Sequence, residues 1–428
     1  MGYVSIFQFG ILDGYILRYA KYDYEDLDKP LVRSQFFVLI AMEIAFSILG
    51  LLVSLFYLNG AYRTIGVLIS VGLITKNAYT YTSYLFQSTN RIYHYAKAVM
   101  IQRLGYALFI VVLLVLGVQN FVWFCVAELF GDTMAVAYGF LGNKELYFSK
   151  GKVSLKNAAI EARKNISVGF LMMLAGISSA FLILGAKTVI QWRWDEWVFG
   201  KVSFAFSLYG AFCSFIVAVG VVLFPSLKRM DVEALPNIFH KVRKELTLLF
   251  FILLLFYYPL YFIVGFWLPN YQESLDYFSI LFPIVLFYSK VHLLTNNYLK
   301  IYGKEKWIFI FNFSVVLIGL VAYLCCAYLL NSLLAILLSV VVLSIIRSVV
   351  SELVVMKIIG KVKIADFIVE FIMTAIFIVA ARHSIFWAGI GLYVIALAVY
   401  IVMHWKIVIG LIKKLKGDRV KKEKNGIE

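Results

Sequence analysis

Charge is scarce in this chain. Asp, Glu, Lys and Arg make up 15% of the 428 residues, where a soluble domain carries about a quarter, and that shortage excludes an ordinary water-soluble globular protein. Acid is scarcer still, 24 residues against 40 basic ones. The basic excess does not point to nucleic acid, because the Lys and Arg stand in short loops and at the C-terminal end, as membrane topology requires. Cysteine is limited to Cys125, Cys213, Cys325 and Cys326. All four lie in hydrophobic segments without metal-ligand spacing, which excludes a disulfide scaffold and reads as apolar packing. No basic n-region precedes the first hydrophobic stretch, which contains Asp13 and Arg18, so a cleavable signal peptide is excluded. Catalytic constellations are missing too. Gly185, Ala186, Lys187 and Thr188 fail the phosphate-loop spacing, and neither a nucleophile elbow nor an HExxH motif occurs, so no enzyme is expected.

What is present is apolar and aromatic. The chain is 63% hydrophobic and 17% Phe, Trp and Tyr, with a mean hydropathy of +0.89. Trp192, Trp194 and Trp197 cluster beside a hydrophobic segment like an interfacial belt. A membrane helix needs about 20 apolar residues, and that ruler gives about thirteen spans. They run over 3–19, 34–58, 63–87, 98–118 and 120–141, then 166–187, 199–224, 246–267, 277–299, 307–330, 332–356, 366–382 and 386–411. The fold class is therefore all-α and polytopic.

The longest polar interruption, 142–165, carries Lys144, Lys150, Lys152, Lys156, Arg163 and Lys164 against Glu145 and Glu161. It reads as a water-exposed strap between a first bundle, 1–141, and a second, 166–357. Alternate loops holding Arg91, Lys97 and Arg103, then the strap, then Lys228, Arg229, Lys241, Arg243 and Lys244 are placed in the cytoplasm by their positive charge. Lys300, Lys304, Lys306, Lys357, Lys361 and Lys363 continue that set, and the tail 413–428 with Lys413, Lys414, Lys416, Arg419, Lys421, Lys422 and Lys424 ends it. An odd number of spans then leaves Met1 outside. Either the first stretch does not span fully, or a preceding helix is lacking, and the second reading is preferred. Pro225 is expected to end a helix, and Pro259 and Pro283 to kink theirs.

Ionisable residues inside a membrane are costly enough to be functional candidates. In LITKNAYTYTSYLFQ, Lys76, Thr80, Tyr84 and Gln87 share one helical face that suits an anionic, hydroxyl-rich ligand. The alternative is a helix contact in which Lys76 pairs with an acid. In LSIIRSVVSELVVMK, Ser344, Arg347, Ser348, Ser351 and Glu352 share a broad face. Arg347 either meets an anionic substrate or pairs with Glu352 or Glu128. Glu128 and Asp132, one turn apart, are candidates for a proton or cation site or for compensating Lys76 or Arg347. Glu43 stands alone; it is expected to be paired, and it is counted with Glu128 and Asp132 as a candidate for ion coupling or charge compensation. Lys290 and His292, with Tyr288, Thr295, Asn296 and Asn297, make one span too polar to face lipid. That assigns Lys290 and His292 to protein or a water-filled path, and with Ser351 they join Lys76, Thr80, Tyr84, Gln87 and Arg347 as candidates for a substrate cavity; His292 has no partner at metal spacing.

Several stretches together resemble a known family. They are GYVSIFQFGILDGYILRYA (2–20), LFQSTNRIYHYAKAVMIQR (85–103), NISVGFLMMLAGISSAF (165–181), FGKVSFAFSLYGAFCSFIVAVGVVLFPSLKR (199–229), NNYLKIYGKEKWIFIFN (296–312) and IIRSVVSEL (345–353). In order and spacing they are similar to the polysaccharide flippases of the multidrug, oligosaccharidyl-lipid and polysaccharide exporter superfamily. The resemblance implies two pseudo-symmetric six-helix bundles and an extra C-terminal helix pair, here 358–412, with the family's first helix absent. It implies a bacterial cytoplasmic-membrane protein that moves undecaprenyl-diphosphate-linked oligosaccharide, for O-antigen or capsule, by alternating access through a basic cavity. Lys76 and Arg347 are the residues this chain offers for that cavity. Membrane lipids and the polysaccharide polymerase machinery are the expected partners. No cofactor or nucleic acid is expected, and coupling to protons or sodium is left open. A cation-coupled multidrug exporter of the same superfamily would want an acidic cavity. A membrane polymerase or ligase would need a long outward loop that this sequence lacks.

Overall fold

The computed structural model describes residues 4–151, 155–360, 364–405 and 409. Lys152, Lys361, Lys363 and the basic tail lie outside the described residues. Among the described residues every regular element is helical, and the chain forms two compact units. One lies within Met1–Gly176 and Phe224–Arg229, the other within Ile177–Leu223 and Met230–Glu428.

The first unit contains α1 (Val4–Phe7), α2 (Ile11–Tyr19), α3 (Lys29–Tyr57), α4 (Gly60–Ser88), α5 (Ile92–Val115), α6 (Phe121–Gly142), α7 (Lys144–Tyr147) and the first half of α8 (Leu155–Arg193). The second takes the rest of α8, most of α9 (Glu196–Lys228), α10 (Leu235–Leu253), α11 (Tyr257–Trp267), α12 (Ser274–Leu281), α13 (Ile284–Ser289), α14 (Asn296–Ile301), α15 (Glu305–Tyr328), α16 (Leu333–Ile359), α17 (Ala365–Ala381) and α18 (Phe386–Met403).

Nine described helices are long and apolar enough to cross a membrane, or ten if α12 and the bent helix after it count as one span. The expected thirteen spans shrink for identifiable reasons. Residues 3–19 break into α1 and α2 at Gly10, whose φ of 79° is left-handed, and neither piece reaches the roughly 20 residues of a full crossing. The 29-residue α4 is long enough, but its Lys, Thr, Asn and Tyr make it too polar to be counted by hydropathy. The 17-residue α17 is one residue short of that measure.

The prolines act less uniformly than their positions suggest. Pro225 does not end its helix, because α9 continues to Lys228. Pro259 follows a 3-10 turn, Leu254–Phe256, that interrupts the span just upstream, where its ring would crowd the carbonyl four residues earlier. Pro283 stands at a 41° bend between α12 and the Ile284–Ile301 helix. That second helix contains a π-helical stretch, Lys290–Thr295, an irregularity often found at functional sites.

The polar strap is also not a free loop. Its last eleven residues form the start of α8, and in α7 Leu146 and Tyr147 are buried in the core of the first unit. Lipid gives helices no hydrophobic reason to associate, so close packing and polar contacts must hold the bundle. At the crossing of α2 and α8 the backbones touch. A Cβ on Gly14 would lie 2.0 Å from the Asn165 carbonyl oxygen, and one on Gly169 would lie 2.0 Å from that of Gly10. Beside this crossing Arg18 donates to Asn165 Oδ1 and to Glu161 Oε2, both at 2.6 Å. Asn165 donates to Gln35 Oε1 at 2.7 Å, and Gln35 donates to the Tyr19 hydroxyl at 2.9 Å. The four cysteines are free: Cys213 and Cys326 are buried, Cys125 is half-buried, and Cys325 is exposed on α15.

Because backbone cannot yield as a flexible side chain can, Gly14→Ala should force α2 off α8. We expect about 1–3 kcal/mol of destabilisation, read as a lowered thermal midpoint in detergent, while Gly176→Ala, with open space around its Cβ position, should leave the midpoint unchanged.

Candidate functional site

Each unit contains a group of buried charges. In the first, Lys76 on α4 points at α6, with Nζ 3.2 Å from Asp132 Oδ1 and 3.6 Å from Glu128 Oε1. Gln102 on α5 donates to the same Asp132 oxygen at 3.1 Å. Asp132 is fully buried, whereas the side chains of Glu128 and Lys76 retain 35% and 25% exposure. One cation therefore faces two carboxylates, and the partly accessible group carries an excess negative charge. The open alternative for Lys76, pairing with an acid, is the arrangement present. Thr80 spends its hydroxyl on the Lys76 carbonyl, Tyr84 is half-buried against the aromatic core, and Gln87 is buried. Glu43, expected to be paired, is fully buried on α3 with neither carboxylate oxygen hydrogen-bonded.

The second unit has a denser network. Arg243 on α10 holds Glu352 of α16 through Nε at 2.6 Å. It also holds Asp366 of α17 through Nη1 at 3.0 Å and Glu370 through Nη2 at 2.9 Å. Lys290, in the π-helical stretch, pairs with Glu352 and, at 2.6 Å, with Glu370. Ser348 donates to Glu352 Oε1 at 3.1 Å and Thr247 to Glu370 Oε1 at 3.2 Å. The ring of Phe367 lies against both cations, 4.7 Å from the Arg243 guanidinium and 5.3 Å from the Lys290 ammonium. An adjoining cavity of about 20 Å³ reaches Arg243, Asp366 and Glu370, space enough for one water molecule.

This network corrects two expectations. Lys290 is neutralised rather than offered to a ligand, because two carboxylates close over it. Glu352 is consumed by Arg243 and Lys290 and does not serve Arg347. The sequence reading missed Arg243 as a core residue, having assigned it to a cytoplasmic loop with its basic neighbours. It also missed Asp366 and Glu370, whose four-residue spacing on α17 was the available signal.

Arg347 is consequently left without a carboxylate among the described residues. It is 4% exposed, its Nη1 donates to Ser179 Oγ at 2.9 Å, and its Nε has no partner. Tyr209, Tyr288, Tyr323 and Cys213 surround it. Tyr288 also stacks on His292, with ring centroids 5.5 Å apart, and Nδ1 of His292 is unpaired. Gly220 makes the room, since a Cβ there would stand 2.9 Å from that nitrogen. Ser351 is turned to Thr295 Oγ1, 3.3 Å away, and to the Ser348 carbonyl. Among the sequence candidates, the structure thus brings Arg347 and His292 together around Tyr288. Lys290 and Ser351 join the charge network and its edge. No group of three metal-ligating side chains occurs among the described residues.

The sequence matches no known family and no curated protein. Solved structures do match. A crystal structure of MATE in complex with MaL6 is similar with a TM-score of 0.62 at 12% identity, over 84% of this chain and 87% of that one. An outward-facing multidrug resistance MATE family transporter of the MOP superfamily gives 0.63 at 14% identity, over 84% of each chain. The lipid II flippase MurJ in its inward closed conformation gives 0.62 at 13% identity, over 95% of this chain and 92% of its own. The chain has the fold of these transporters. Such identities speak for architecture alone, so the residues described above must carry any argument about cargo.

Removing one partner from a buried ion network leaves the others uncompensated, at a cost of about 3–5 kcal/mol. Glu352→Gln, which removes the fully buried carboxylate that Arg243 and Lys290 share, should therefore lower the thermal midpoint in detergent more than Glu128→Gln, whose carboxylate is partly exposed.

Proposed function

We propose that this chain is a membrane flippase for an anionic lipid-linked substrate, with undecaprenyl-diphosphate-linked oligosaccharide of a bacterial cell-surface polysaccharide as its cargo. One observation carries the reading: Arg347 is a deeply buried guanidinium with no carboxylate partner among the described residues and a free Nε. A buried charge of this kind is expensive unless something neutralises it. A guanidinium presents a planar fork of donors matched to phosphate oxygens, and the hydroxyls and imidazole around Arg347 add donors that a diphosphate would accept from. The fold, shared with a lipid II flippase over nearly the whole chain, is compatible with such cargo. No covalent step is required of the protein. The cytoplasmic membrane, its lipids and the polymerase machinery that consumes the cargo are the surroundings this role implies.

A cation-coupled multidrug exporter is the second reading, favoured by the half-open Lys76, Glu128 and Asp132 group, whose excess negative charge suits a cation. The two differ in which charge matters.

In proteoliposomes containing a fluorescent polyprenyl-diphosphate oligosaccharide, Arg347→Met should slow leaflet exchange by at least about tenfold, the loss of one charge-assisted contact. Its thermal midpoint should hold or rise, because an uncompensated charge has been removed. Exchange at the wild-type rate in Arg347→Met would overturn the assignment, and cationic dye export lost in Glu128→Gln would favour the second reading.

A further inference from the structure

Helices α3 and α4 pack along a register that runs antiparallel. Glu43, Ser47, Gly50 and Ser54 follow one another at steps of four, three and four residues along α3, and Asn77, Leu73, Ser70 and Gly66 at the same steps back along α4. These spacings keep each set on one helical face. The contacts match the register. A Cβ on Gly50 would lie 2.6 Å from Ser70 Oγ, and one on Gly66 would lie 2.3 Å from Ser54 Oγ. Asn77 is the polar side chain close enough to act on Glu43, but neither its Nδ2 nor either carboxylate oxygen reaches a partner at full hydrogen-bond geometry. The outer positions of this seam are thus small residues in close contact. Its inner position is a carboxyl group with 0% exposure and both oxygens without a partner.

Among the described residues no charge is placed to neutralise it. On α4, Lys76 is committed to Asp132 and Glu128 and lies 5.6 Å from the Tyr79 ring, and the Tyr81 hydroxyl donates to the Val32 carbonyl. On α3 itself, Lys29 pairs with Glu145 of α7, and Arg33 donates to the carbonyls of Ser149 and Gly151. From the N-terminal side, Phe7 and Phe9 place only rings against Phe46. On α2, Arg18 is held by Glu161 and Asn165, and Asp13 acts on Tyr84. An ionised carboxylate in such a place is strongly disfavoured, whereas the neutral acid removes the charge and supplies a donor. A proton leaving Glu43 would place an uncompensated charge in the seam, and only water or a cation admitted between α3 and α4 could relieve it.

We propose that Glu43 is a proton-binding site that latches α3 to α4 when occupied and lets the seam open when empty. The inference rests on burial and pairing in the first unit, independently of the cargo read from Arg347.

The test uses the full chain in proteoliposomes. A hydrophobic carbodiimide modifies protonated carboxyl groups inside membranes, and mass spectrometry of the peptide containing Glu43 reads the extent. We expect modification at acidic pH, falling at least tenfold as the pH is raised and indifferent to sodium. In parallel, hydrogen exchange of the α3 and α4 peptides should be faster in the wild type than in Glu43→Gln at alkaline pH and equal at acidic pH, since glutamine mimics the neutral acid. Modification that is constant with pH would mean a permanently neutral structural acid. Absence of modification at every pH would mean an ionised group, and protection by sodium at fixed pH a metal-cation site. Each of these, or identical exchange in the two proteins, overturns the latch. The modification is read on the wild-type chain, so it does not depend on the variant folding.

Discussion

The buried guanidinium of Arg243 is the contact on which the second unit depends. Three carboxylates on two helices converge on it, and two of them also close on Lys290. In a lipid-spanning bundle, apolar burial does not drive helices together, so polar pairing decides which helix lies beside which. Asp366 and Glu370 thereby make α17 part of this core rather than an appendage to it. Once Glu352 and Glu370 are committed there, Arg347 has no acid left. The functional candidate in this unit is thus a remainder, a buried cation that the network does not absorb and that no carboxylate among the described residues pairs.

The first unit solves the same problem differently. Asp132 is covered by Lys76 and Gln102, Arg18 is covered by Glu161 and Asn165, and Glu43 is covered by nothing that carries charge. Glycine does the positioning: Gly10, Gly14 and Gly169 bring α2 and α8 into backbone contact, and Gly50 and Gly66 leave room for the hydroxyls of Ser70 and Ser54 between α3 and α4. Such contacts hold elements in fixed register, and against that rigid frame a single uncompensated group can act as a switch.

Much of the helical architecture was legible along the chain. Runs such as Phe121–Gly142 and Leu333–Ile359 are apolar for their whole length, and composition alone marks them as spans. The failures occur where local chemistry competes with length. Gly10 divides the first stretch, and Pro225 is carried inside α9 because the surrounding helix outlasts one lost hydrogen bond. The strap at 142–165 looked unattached because its charges dominate the reading, while the burial of Leu146 and Tyr147 depends on partners far away in sequence.

By itself the sequence determined the helical, membrane-spanning class, since that follows from composition and the 3.6-residue period. It also placed Lys76, Glu128, Asp132 and Arg347 among the candidates. Only the tertiary structure decided who neutralises whom. Ion pairing needs groups within about 4 Å, and Arg243 and Glu352 are separated by 109 residues, a distance over which no helical periodicity reports. That assignment turned Lys290 from a ligand candidate into a buried counter-ion, left Arg347 without an acid, and set Glu43 alone in a seam too tight for an unpaired charge.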